Sequence, residues 1–280
     1  IAMGFKLPRY GADGSLGRET LEAVDRWAAR YVTGDADATP GDSVPADTVK
    51  KILIMAADAL PAKPQPQGAI RAVHGHPLIL DVREAYGGER NGYNRWTDID
   101  TICLHQMACV GPGTWQRWKD LAIHFAVIRK IGIAAWLNDL NVRVPHGHGW
   151  NPRSVGFEIE GHFSGVEGDL STHWVPEDPI PSRKVPMVLT DGQIAACLDA
   201  IRFTIETVAS RGGKIRFVGA HRQSYGVKVS DPGEAVWTQI ALPIMAEFGL
   251  TTAPTLAHKK HPGRPIPEAW DPSQKGVPYL

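Results

Sequence analysis

Residues 213–237 read GKIRFVGAHRQSYGVKVSDPGEAVW, and the fold turns on how this stretch is interpreted. An apolar β-type run, Ile215 to Val218, delivers His221, and ten residues later Asp231 arrives on a Ser-Asp-Pro-Gly turn. An imidazole and a carboxylate placed by one strand and one loop suit a metal. A catalytic zinc takes three protein ligands from His, Asp, Glu or Cys and keeps a fourth position open, so the pair asks for a third ligand upstream. His105 is the candidate. It ends Asp100-Thr-Ile-Cys-Leu-His, where Ile102 and Leu104 alternate with smaller or polar neighbours before the Gly111-Pro112-Gly113 turn, the pattern of a strand. Most histidines in globular chains are exposed or satisfied packing residues, so spacing alone leaves that reading of the trio open.

These segments, with SVGFEIEG at 154–161, resemble the zinc N-acetylmuramoyl-L-alanine amidases of the type-2 family. That family includes phage lysozyme-like amidases, cell-wall recycling amidases and peptidoglycan recognition proteins. The likeness covers about residues 95 to 248. It implies Zn2+ on His105, His221 and Asp231, with Glu158, the first Glu of the GxExEG strand, as the carboxylate that activates water. Cleavage of the amide between N-acetylmuramic acid and L-alanine follows as the expected activity, with peptidoglycan as partner. The family pattern has a Lys two residues before the Asp, where this chain has Val229; Lys228 stands one place earlier, and Arg222 or a backbone amide is the alternative oxyanion donor. Some members use a Tyr before a His-Phe pair, but here Ile123 precedes His124-Phe125, which moves the acid–base role to Glu158. Two other functions stay open: a non-catalytic peptidoglycan receptor, since recognition members lose a metal ligand, and a zinc peptidase acting on another amide.

The loop before that strand, VRVPHGHGWNPR, is rich in Pro and Gly. The i, i+2 spacing of His146 and His148 would suit further metal ligands, but such a loop favours lining a substrate groove. Trp150 and Asn151 suit stacking and hydrogen bonding to sugar or peptide, and local packing is the alternative for the Trp. Val155, Phe157 and Ile159 form the apolar face of the strand, which leaves Glu158 and Glu160 together on the other.

The expected architecture is α/β, a central mixed β-sheet flanked by helices. Residues 65–250 form the amidase-like domain, 1–64 a small helical N-terminal module, and 251–280 a proline-rich tail. The N-terminal module carries Leu21, Val24, Trp27 and Tyr31 at helical spacing. Its Asp13-Gly-Ser-Leu-Gly-Arg-Glu-Thr, followed by Ala23-Val24, resembles the signature of a small helical peptidoglycan-binding repeat. Within the domain, strands are expected at 76–82, 123–128 and 133–137, and a short helix at 115–122. An aperiodic insertion spans 162–188; then Thr190 and Gln193 cap a long helix whose stripe is Ile194, Leu198, Ile201, Ile205 and Val208. Pro243 should kink or split the last helix.

With 43% apolar and 21% charged residues the chain is of ordinary globular composition. Lys+Arg and Asp+Glu both count 30, which leaves no basic footprint for nucleic acid or anionic membrane. No run is long and apolar enough to span a bilayer, and the first residues lack the n- and h-regions of a signal peptide. Action on a cell wall, periplasmic or extracellular, would then use another export route, a phage origin or a removed leader. Cys103, Cys109 and Cys197 cannot all pair; Cys103, two residues before His105, offers a thiol ligand but fits buried packing better. Oligomeric state has no signature here.

Overall fold

The computed structural model describes residues 70–84, 92–111, 113–118, 121–173, 185–257 and 260–275. The helical module expected at 1–64 lies outside the described residues, as do positions 174–184 of the expected insertion.

Ten strands are described: β1 Arg71–Val73, β2 His76–Asp81, β3 Thr101–Gln106, β4 Phe125–Ile128, β5 Ile133–Trp136, β6 Ser154–Ile159, β7 Ser164–Val166, β8 Asp169–His173, β9 Phe217–Ala220 and β10 Thr251–Thr252. Eight of them form one sheet in the order β1-β2-β5-β4-β6-β3-β9-β10. β4, β6, β3, β9 and β10 run parallel, and the β4–β5 and β1–β2 pairs are antiparallel. This is the mixed sheet expected of the α/β class. Buried on both sides, the central β3 is apolar or small from Thr101 to Leu104, as parallel strands covered on two faces are, and turns polar at His105 and Gln106.

One face of the sheet packs on two helices. The first, α1 Asp191–Ser210, starts with the capping box read from the sequence: Gln193 N–H donates to Thr190 Oγ1 at 3.2 Å. Its fully buried side chains include Ala196, Cys197, Ala200, Ile201, Thr204 and Val208, whereas Ile194, Leu198 and Ile205 are only half-buried. The stripe is thus rotated toward its small residues. A short helix, α2 His221–Ser224, follows β9 directly. The last helix, α3, joins Glu234–Val236, a π-helical stretch Trp237–Ala241 and Leu242–Phe248. The irregularity expected from Pro243 takes the form of that π-stretch, because the ring leaves the preceding turn without its usual amide donor. Trp237, Ile240, Ala241 and Ile244 join Ile102, Leu104, Val155, Phe157 and Val218 in the main core.

The opposite face is covered by loops. The helix expected at 115–122 is a 3-10 turn, Trp115–Trp118, whose three-residue repeat puts both buried indoles on one side. Residues 164–173 of the supposed insertion form the β7–β8 hairpin. The strand expected from Ile215 begins instead at Phe217, because the N–H groups of Arg216 and Phe217 both turn to the Asp100 carbonyl, at 2.8 and 3.0 Å. The proline-rich segment after 250 adds β10 beside β9 and continues as a strap, with Ile266 and Trp270 buried and the Trp270 indole N–H donating to the Gly165 carbonyl. No helix among the described residues is long and apolar enough to cross a membrane.

Candidate metal centre

The register of three parallel strands sets the site. Cys103 is paired with Gly156 of β6 and Gly219 of β9, and His105 with Glu158. Paired residues share a face, so Cys103, His105, Gly156, Glu158 and Gly219 line the loop-covered side while their neighbours enter the main core. His221, one residue beyond the Leu104–Ala220 pair, comes level with His105 at the carboxyl end of the sheet. Ligand sites of open α/β sheets gather at that end. The two glycines make room: a Cβ at Gly156 would meet His146 Nδ1 at 2.5 Å, and one at Gly219 would meet the Trp150 ring at 2.5 Å.

His105 Nδ1 lies 2.9 Å from His221 Nδ1, which lies 2.9 Å from Asp231 Oδ2. The second Asp231 oxygen accepts the Gln106 N–H at 2.9 Å, which ties the loop carboxylate to the end of β3. The Gln106 side chain holds the surroundings by donating to the Ser230 carbonyl and accepting the Phe163 N–H at 2.7 Å. One ring nitrogen carries a proton or a lone pair in a single in-plane direction. His221 Nδ1 therefore cannot serve both His105 Nδ1 and Asp231 with one proton. A cation between the three atoms, all within 4.8 Å of one another, satisfies them together. Burial, followed by the neighbouring His221 and His146, pushes the His105 imidazole well below the usual histidine range and keeps it neutral. Two imidazoles and a carboxylate are a donor set suited to zinc.

Cys103, His105 and His146 form a second close group. Burial, reinforced by Asp231 and Glu158, pushes the Cys103 thiol well above its ordinary value.

Glu158 flanks the metal-type group, its Oε1 3.8 Å from His105 Nδ1. Its Oε2 is buried and without a hydrogen-bond partner among the described residues. Burial first, and the Asp231 carboxylate second, push its carboxyl well above the usual range, while Lys228 opposes them. Glu160 is differently placed: its carboxylate accepts the Gly111 N–H, and the Arg129 N–H at 2.6 Å. The shared strand face expected for the two does not carry over into a shared site, since Glu160 lies beyond the end of β6. Glu160→Ala, which leaves two backbone donors unsatisfied, is expected to lower unfolding free energy by about 1–3 kcal/mol in a urea titration without changing metal content. Loss of metal with unchanged stability would contradict this assignment.

The other sequence candidates divide. Lys228 is exposed, and its charge acts on both His105 and Glu158. Arg222 donates to the Val229 carbonyl and lies over the Trp270 ring at 5.1 Å, bracing the loop that carries Lys228 and Asp231. His148 is exposed, stacks on Tyr225 at 3.9 Å, and brings Nδ1 to 3.3 Å from His221 Nε2. His146 is buried, with Nδ1 3.0 Å from His105 Nε2. Trp150 is 1% exposed and packed with Cys103 and Ala253, so the indole proposed to stack on a ligand is a core side chain. Asn151 uses Oδ1 to accept the Gly147 N–H at 2.6 Å and its carbonyl to accept Asn94 Nδ2 at 3.0 Å, which shapes the loop. Gln106 and Ser154 were missed; an amide directly after a candidate ligand and a serine opening the next strand have no motif of their own. His124 is buried, donating Nε2–H to the Val142 carbonyl and accepting the Gly156 N–H, with burial lowering its pKa to about 4.

No protein-family model and no curated protein matches the chain. Among solved structures it is similar to the endolysin N-acetylmuramoyl-L-alanine amidase LysCS from Clostridium intestinale, at 18% identity over 61% of this chain and 95% of that one, with a TM-score of 0.40. Drosophila peptidoglycan recognition protein SA matches at 16% identity over 65% and 98%, TM-score 0.40. Human PGRP-IβC, solved in complex with a glycosamyl muramyl pentapeptide, matches at 15% identity over 63% and 99%, TM-score 0.40. All three are distant likenesses.

Proposed function

We propose that the protein is a zinc-dependent peptidoglycan hydrolase that cleaves the amide between the lactyl group of N-acetylmuramic acid and L-alanine, acting on the cell wall. The observation that carries the proposal is the convergence of His105 Nδ1, His221 Nδ1 and Asp231 Oδ2, with the Glu158 carboxyl alongside. The bond and the glycan substrate come from the resemblance of these segments to the amidase family; the hydrolytic chemistry comes from the residues themselves.

His105, His221 and Asp231 would hold the ion. Zinc there would supply a Lewis acid that polarises the scissile carbonyl and makes water more acidic. Glu158 takes the proton from the attacking water and returns it to the departing amine of L-alanine; a carboxyl raised by burial suits both transfers. The Lys228 ammonium, close enough to act electrostatically on His105 and Glu158, would oppose the negative charge that develops on the carbonyl oxygen.

Purified under zinc-replete conditions, the protein is expected to hold about one equivalent of zinc, as a three-ligand site does. Mass spectrometry of digested cell walls should find stem peptides with a new L-alanine amino terminus and glycan with free lactyl carboxylates. Wall binding without new ends would make it a recognition protein, and cleavage at another amide a peptidase; either result overturns the proposal.

A further inference from the structure

His146 lies on a loop that reads as a substrate wall, yet its ring is turned inward between a candidate metal ligand and a strand serine. We propose that His146 and Ser154 are positioning residues whose hydrogen bonds fix the tautomer of His105, so that its Nδ1 presents a lone pair to a divalent metal. The proposal rests on His105, His221 and Asp231 being metal ligands.

The direction of each bond follows from proton counting. Ser154 Oγ–H donates to the Trp150 carbonyl at 2.8 Å, which uses its only proton. Its contact with His146 Nε2 at 3.2 Å must then be one in which the imidazole donates. A neutral imidazole has one proton, so His146 Nδ1 is left as an acceptor, and it faces His105 Nε2 at 3.0 Å. His105 donates Nε2–H to it, which leaves His105 Nδ1 bare where it meets His221 Nδ1 at 2.9 Å. The sequence of donors runs from His105 through His146 and Ser154 to a backbone carbonyl, which cannot reverse its role.

Three further features bear on this. His105 and Ser154 have no exposed surface, and His146 is buried, so water does not readily substitute at any link. Ser154 is held in β6 opposite Thr101, which fixes its hydroxyl relative to His105 on the neighbouring strand. Gly156 is the residue whose side chain would otherwise occupy the place of His146 Nδ1. The relay also works against a competing pull: the Glu158 carboxyl, 3.8 Å from His105 Nδ1, attracts a proton to the nitrogen that must stay bare. Outer partners of this kind set ligand orientation and basicity, and losing one typically weakens metal binding about 10–100-fold.

The test uses the full chain, labelled with 15N-histidine and stripped of metal. Long-range proton–nitrogen NMR, with signals assigned through His105→Ala and His146→Gln, should place the proton of both His105 and His146 on Nε2. A proton on His105 Nδ1 in the wild-type protein would overturn the proposal without any variant having to fold. Zinc affinity is then measured by competition with a chromophoric chelator. Ser154→Ala should bind about 10–100-fold more weakly and change the tautomer pattern, and Ser154→Thr, which keeps the hydroxyl, should bind more tightly than Ser154→Ala. Unchanged affinity and tautomers in Ser154→Ala, with binding lost in His105→Ala, would reject the relay and spare the metal site. Unchanged zinc affinity in His105→Ala would instead reject the metal site, and the relay with it.

Discussion

Asp231→Asn is expected to weaken zinc binding about a hundredfold and to lower amide-hydrolysing activity with it. Asparagine is the informative replacement because a side-chain oxygen can still accept the Gln106 N–H, so the tether to β3 survives while the ligand charge is gone. Structural four-ligand zinc sites bind with about 10–16 kcal/mol, so one ligand accounts for about 3 kcal/mol, or roughly a hundredfold in affinity. Stability should follow: zinc at a thousandfold excess over its Kd stabilises the folded state by about 4 kcal/mol, and most of that shift should vanish in the variant. Metal analysis and thermal melts with and without zinc, on one preparation, make the comparison. A variant that retains a full equivalent of zinc and the same melting shift would remove Asp231 from the ligand set.

Glu158→Gln should behave in the opposite way, keeping zinc while turnover falls by about a hundredfold or more, the usual scale for a positioned acid–base group. The carboxyl sits in register with His105, its Oε1 3.8 Å from His105 Nδ1. Its second oxygen has no partner among the described residues, so the substitution breaks no bond of the fold there. Near-normal turnover would sink the assignment, and Glu160 could not inherit the role, because its carboxylate is already committed to the Gly111 and Arg129 amides.

What was legible in the sequence is what depends on local pattern. The alternation around Glu158 and the Thr190–Gln193 cap both reappear in the structure because each is decided within a few residues. Register was not legible: nothing in the sequence alone puts Cys103 opposite both Gly156 and Gly219, and the meaning of those glycines appears only once His146 and Trp150 lie above them. The loop context of Trp150 suits either ligand stacking or local packing, and the structure shows packing. The 3-10 turn His148–Trp150 carries the indole beneath the loop, into a space only the distant Gly219 could open. Similar reasons hide Gln106 and Ser154, whose roles depend on residues 124 and 8 positions away. The start of β9 differs from the expectation because the Asp100 carbonyl, far off in sequence, captures the amides of Arg216 and Phe217.

Because β3 lies between β6 and β9, the candidate ligands come from parts of the chain that meet only when the sheet centre closes. His105 and His221 are 116 residues apart, and the Gln106–Asp231 tether spans 125. Closing loops of that size costs entropy before any contact repays it, which makes such pairings late events in folding. A chain with β9 unpaired has the histidines but not the cluster they form. Any ion held by these side chains would therefore have to wait for the sheet to close.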